Sequence, residues 1–136
     1  MTSLANGLQG IQSSRAEPAP PPSPLLEVAN VMVHLYKDAF GRGPTKARAL
    51  FSGSDLLVVL LEDVMTLAER RLVALGEPSR ARDHRLFLQN ALDEVKRAEV
   101  KRILRRNVLT CISGTDPNHD LAAELFVLDP ASHGLT

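Results

Sequence analysis

Two stretches of this chain share one pattern: apolar residues, a Ser-Gly-x-Asp bend, then a second apolar run. Phe51-Ser52-Gly53-Ser54-Asp55 leads into Leu56 to Leu61, and Ile112-Ser113-Gly114-Thr115-Asp116 leads, through a longer loop, into Leu121 to Leu128. Each reads as a β-hairpin downstream of a helical pattern. A lone hairpin cannot bury its apolar face, whereas two can pair into one sheet. With 136 residues in all, the chain has room for one such core.

Residues 1–23 are expected to form a disordered tail, rich in Ser and Ala and then in proline (Pro18, Pro20, Pro21, Pro22), because it cannot bury enough apolar surface to offset its ordering entropy. Ser23 and Pro24 then open a helix predicted over 24–40, with Leu25, Val28, Met32, Leu35 and Ala39 on its buried stripe and Gly41 as its stop. Lys46 to Phe51 reads as a strand. Leu56 to Leu61 is apolar on both faces, so helices should cover one side and helices or a partner chain the other. Thr66 and Glu69 form a capping box for a helix ending at Gly76. A long helix is expected over about 80–105, capped by Ser79. Leu88, Ala91, Leu92, Val95 and Ala98 should lie inside it, and Arg85, Gln89, Asp93, Lys96 and Arg97 outside. Strands near 108–113 and 121–128 complete the order α-β-β-α-α-β-β. The expected fold is α+β, a single domain over 24–130 with a four-stranded antiparallel sheet, helices on one face and a frayed 131–136.

The formal net charge is zero and the chain has no tryptophan and one tyrosine. Neither a field that recruits nucleic acid nor an aromatic platform for single strands is expected. The lone Cys111 excludes an internal disulfide and reads as an inert thiol. His34, His84, His119 and His133 lack paired ligand spacing, so no metal and no cofactor is expected. No nucleophile–base motif points to an enzyme. Glu62 and Asp63, between strand and helix, read as carboxylates favouring the helix start. Two basic groups are candidate sites. Lys37, Arg42, Gly43, Lys46 and Arg48 surround a Gly-x-Gly-Pro loop that could hold a small anion. Lys96, Arg97, Lys101, Arg102 and Arg105 lie on the last turns of the long helix and could dock a partner.

The block Tyr36-Lys37-Asp38-Ala39-Phe40-Gly41-Arg42-Gly43-Pro44 resembles the MpsC-like family, a component of a sodium-translocating, membrane-potential-generating system. The likeness runs on through Lys46-Ala47-Arg48, Asp55 to Leu61, Met65 to Arg70, the Arg82 to Leu88 helix and Phe126-Val127-Leu128. The resemblance implies a link to ion-motive membrane machinery, although no apolar run here reaches the ~18 residues needed to span a bilayer. Together these observations predict a non-enzymatic cytoplasmic accessory protein, peripheral to a membrane protein complex and homodimeric. The alternative is a small anion- or metabolite-binding regulator using the Gly41 to Arg48 loop.

Overall fold

The computed structural model describes residues 23–130; the expected tail and the last six residues lie outside them, Ser23 apart. The first helix, α1 (Pro24–Phe40), begins where Ser23 Oγ accepts a hydrogen bond from Leu26 N at 3.1 Å. It ends at Gly41, whose φ of 86° lets its N–H turn back to Lys37 O. Val28, Ala29, Met32 and Tyr36 fall on one face and are buried. At Gly43 the chain passes so close to α1 that an added Cβ would lie 3.2 Å from Val33 O. That glycine serves a backbone crossing.

Strands β1 (Lys46–Ser52) and β2 (Leu56–Glu62) form the first hairpin, with Gly53 at a φ of 74° in the turn. Helices α2 (Leu67–Ala74), α3 (Pro78–Ala91) and α4 (Asp93–Leu104) follow, then β3 (Val108–Asp116) and β4 (Leu121–Leu128). The sheet is antiparallel throughout, in the order β1-β2-β4-β3, so the two hairpins join through their second strands. The expected α+β architecture and the pairing of hairpins are both present.

Three local expectations change. The long helix is two helices, interrupted at Leu92, and Pro78 starts the first of them in place of Ser79 as a cap. Proline suits a first helical position because its missing N–H would be unpaired there anyway. The second Ser-Gly-x-Asp segment is strand, not bend: Ser113 and Gly114 pair with Glu124 and Ala123. The turn comes later, at Pro117 to Asp120, where Asp116 Oδ1 accepts from Asn118 N at 3.1 Å and Asp120 takes a φ of 55°.

Alternation divides the sheet into two unlike faces. Leu57, Val59, Leu61, Ala122, Phe126 and Leu128 face the helices and are buried, together with Met32, Tyr36 and Val100. Leu56, Val58, Leu60, Leu121, Leu125 and Val127 face the other way and are only half-buried. Replacing Leu57 by alanine should therefore cost about 2–5 kcal/mol, against less than about 1 kcal/mol for Leu50→Ala on the outer face. Urea denaturation of the two variants, compared at equal protein concentration, checks the difference.

Candidate functional site

The polar centre of the molecule lies beneath the helices, on the inward side of the sheet. Glu124 occupies an inward position of β4 between Ala122 and Phe126 and has no solvent exposure. Lys96 of α4 donates to Glu124 Oε1 at 2.7 Å and to Ser113 Oγ at 2.8 Å, and Ser113 itself donates to Oε1 at 2.5 Å. Tyr36 of α1 donates to Oε2 at 2.5 Å, while Gln89 Nε2 of α3 lies 2.8 Å from the phenol oxygen and 3.1 Å from Gly114 O. Three helices and two strands thus converge on one carboxylate. Burial, then the neighbouring Glu124 charge, raises the Tyr36 pKa well above its usual value. The same two causes push the Cys111 thiol up to about 12. Tyr36, Gln89, Lys96 and Glu124 have no solvent exposure, and Cys111 and Ser113 stand partly exposed at the edge of the cluster.

A second cluster fixes α2 to α3. Glu69, at the third position of α2, completes the capping box with Thr66, accepts from Arg85 at 2.5 Å and lies 2.9 Å from His84 Nδ1. Arg85 also donates to Val64 O and stacks its guanidinium 3.8 Å from the Phe40 ring. Burial alone would raise the Glu69 pKa, but the Arg85, Thr66 and His84 bonds outweigh it and lower the value.

A third set of contacts joins three loops. Arg42 donates to Asp63 O at 2.8 Å and Met65 O at 2.9 Å and pairs with the Asp63 carboxylate at 3.2 Å. Asp120 Oδ1 accepts from Val64 N and Met65 N, and Arg70 bridges Asp63 and Asp120. Asp63 has a φ of 58°, so it is a turn residue and not part of the first turn of α2.

These contacts redistribute the basic residues read from the sequence. Arg42 is engaged by the Asp63–Met65 loop. Gly43 lies against α1. Lys37 is exposed on α1, and Lys46 and Arg48 stand on the outward side of β1. Thr45, Lys46, Arg48, Asn30 and Glu62 border an open cavity of about 570 Å³. On α4, Lys96 is a correction: it points inward to Glu124 instead of outward with the docking group. Arg85 and Gln89 are corrected likewise. Arg97 pairs with Asp93 and Arg102 with Glu99 and Glu27, which leaves Lys101 and Arg105 exposed without an ion pair among the described residues. Arg106 donates to Ser54 O and Asp129 O, tying the first hairpin to the end of β4.

The inward stripe of α3 and α4 is Ala81, Arg85, Gln89, Lys96 and Val100. Consequently Phe87 (74% exposed), Ala91, Val95 and Ala98 face outward, the last three being residues whose spacing predicts a buried stripe. The signal for the buried carboxylate was a charge at an inward strand position flanked by Ala122, Phe126 and Leu128. No group of His, Cys, Asp and Glu able to hold a metal is found among the described residues.

A family model described as "Na+-translocating membrane potential-generating system (MpsC)" matches residues 26–130. No curated protein and no solved structure matches the chain.

Removing one member of a buried ion pair strands the other, which typically costs about 3–5 kcal/mol. Lys96→Met should lose about that much in chemical denaturation, and Lys96→Met/Glu124→Gln should lose less than the two single changes added together. A thiol-specific reagent at pH 8 should leave Cys111 unmodified in the folded protein and label it in denaturant. For Glu69 the folded pKa lies below the unfolded value of about 4.3. Its contribution to stability is complete above that value and is lost as pH falls through the folded one. Melting curves taken down the acid limb should flatten in Glu69→Gln relative to the native chain.

Proposed function

The chain belongs to the MpsC family, and on that premise we propose that it is a non-enzymatic accessory component of a sodium-translocating, membrane-potential-generating system, acting at the cytoplasmic face of the membrane. The observation that carries this reading is the family match over residues 26–130 in a chain whose described helices include none long and apolar enough to cross a membrane. Such a component must work through contact. The supporting surface is the outer side of the helical layer, where Phe87, Ala91, Val95 and Ala98 form an exposed apolar strip near Lys101 and Arg105, cations without an ion pair among the described residues. Apolar side chains beside cations suit a membrane protein with an acidic cytoplasmic surface. The ionisable groups of the core support a non-catalytic role, since Glu69, Arg85, Lys96 and Glu124 are each bonded to intramolecular partners.

A second reading, a small anion-binding regulator, is favoured by the open cavity beside Lys46 and Arg48. Glu62 on the same rim opposes an anion. Calorimetry with inorganic phosphate and bicarbonate should register no binding if the accessory role is correct, and binding abolished by Lys46→Ala/Arg48→Ala would establish the alternative.

Affinity capture from detergent-solubilised native membranes should recover an ion-translocating membrane protein together with the tagged full-length chain. Phe87→Ser/Val95→Ser should reduce recovery with an unchanged melting temperature, and Lys101→Glu/Arg105→Glu should make the residual contact less sensitive to salt. Capture of no membrane protein, or recovery indifferent to both double variants, would overturn the assignment.

A further inference from the structure

The outward face of the sheet is a regular grid whose rows follow from the strand registers. Across β1, β2, β4 and β3 the first row reads Lys46, Glu62, Leu121, Asp116, and the second Arg48, Leu60, Ala123, Gly114. The third reads Leu50, Val58, Leu125, Ile112, and the fourth Ser52, Leu56, Val127, Thr110. All four charges lie in the first two rows. The rest is almost wholly aliphatic, and no described helix packs on it. Leu50 is 44% and Ile112 54% exposed.

We infer that this face binds the same face of a second copy, forming a two-sheet sandwich about a two-fold axis parallel to the strands and between β2 and β4. An isologous contact must be self-complementary under its own axis. This grid satisfies that condition in its second, third and fourth rows and at the Lys46 and Asp116 corners of the first, where Glu62, beside Lys46 of its own chain, faces the partner's Leu121 at the rim. The axis places β1 against the partner's β3 and β2 against the partner's β4. Lys46 then meets the partner's Asp116, Leu50 meets the partner's Ile112, and Val58 meets the partner's Leu125. The large Leu60 faces the partner's Ala123, Arg48 faces the partner's Gly114, and Ser52 faces the partner's Thr110. In the second row large side chains oppose small ones, in the third aliphatic meets aliphatic, and at the corners of the first row cation opposes carboxylate. An axis perpendicular to the strands would instead set the charged first row against the fourth, placing Lys46 opposite Ser52 and Asp116 opposite Thr110 and leaving neither charge with a counterion across the interface.

The dimensions suffice. Four strands about 4.8 Å apart and about 24 Å long give a flat area of about 450 Å² per copy. Two such faces bury about 900 Å² before side-chain corrugation is added, close to the ~1,000 Å² expected of a specific interface. Aligned packing at about −30° is the ordinary arrangement of twisted sheets. Asp116 already accepts from Asn118 N and His119, yet its side chain remains half-exposed and open to a further donor. Within one chain Lys46 and Asp116 stand on opposite edge strands, about 14 Å apart at ordinary strand spacing, so they cannot pair in the monomer.

Sedimentation equilibrium of the full-length chain at micromolar concentration should give a dimer. Val58→Asp, present twice in the interface, should raise the dissociation constant at least ~100-fold without lowering the melting temperature of the monomer. Lys46→Glu should weaken the dimer, and Lys46→Glu/Asp116→Lys should restore it, with folding confirmed by circular dichroism. A monomeric native chain overturns the inference, as expected if residues 1–22 or a membrane protein occupy the face instead. A dimer that survives Val58→Asp overturns it too, because assembly would then run through the strand edges.

Discussion

Glu124 must be satisfied on all sides, because an ionised carboxylate removed from water keeps its charge only when donors replace the lost hydration. It sits on a central strand, so those donors have to arrive from elsewhere in the chain. Ser113 comes from the neighbouring strand, Lys96 from α4, Tyr36 from α1, with Gln89 of α3 supporting the phenol. Aliphatic contacts would tolerate a helix sliding or turning by a few degrees. A carboxylate with three donors within 2.7 Å would not, since displacement of any one leaves a buried polar group without its partner. The helical layer is therefore located by chemistry as much as by packing.

The remaining polar contacts extend that control to the periphery. Arg85 and Glu69 fasten α2 to α3, and the Arg85 guanidinium reaches the end of α1 by stacking on Phe40. Asp63 and Asp120 both take left-handed backbone conformations at adjacent loops. That conformation is unfavourable for a residue with a Cβ, and side-chain bonds compensate for it. Asp120 caps two amides of the Val64–Met65 segment, while Arg42 and Arg70 hold Asp63. Surface ion pairs of this kind contribute little individually, but here they also satisfy backbone groups that would otherwise need water.

Much of this architecture was legible in the residues, and the reasons are particular. The boundaries of α1 followed from Ser23, Pro24 and Gly41, each of which acts through local backbone geometry. Strands β1 and β4 followed from alternation and β2 from its uninterrupted apolar run, whereas β3 extends beyond its expected end to Asp116. What stayed hidden was the direction of α3 and α4. Leu88, Leu92 and Val95 suggest an inward stripe because hydrophobicity usually marks the buried side. The observed inward stripe carries Arg85, Gln89 and Lys96, whose burial depends on Glu69 and Glu124, elsewhere in the chain, being placed opposite them. Pairwise satisfaction across 16 to 35 residues cannot be inferred from the period of a single helix. The second Ser-Gly segment misled for a similar reason: Gly114 is compatible with a bend, but the Asp116 to Asp120 turn chemistry was stronger.

Placing polar groups inside has a consequence for the outside. Aliphatic residues that would ordinarily close the core instead appear on two opposite surfaces, the outer side of the sheet and the outer side of α3 and α4. An isolated chain gains nothing from that arrangement, because exposed apolar area contributes no burial energy and invites non-specific association. The arrangement becomes favourable if each surface has its own cover. Sheet-to-sheet pairing would shield one of them and turn both helical layers outward, leaving two copies of the Phe87–Val95 strip available on opposite sides of a single particle. Strips that face away from each other cannot both lie on one flat membrane, so each copy would engage a separate partner and the particle would bridge two partners instead of gaining avidity on a single surface.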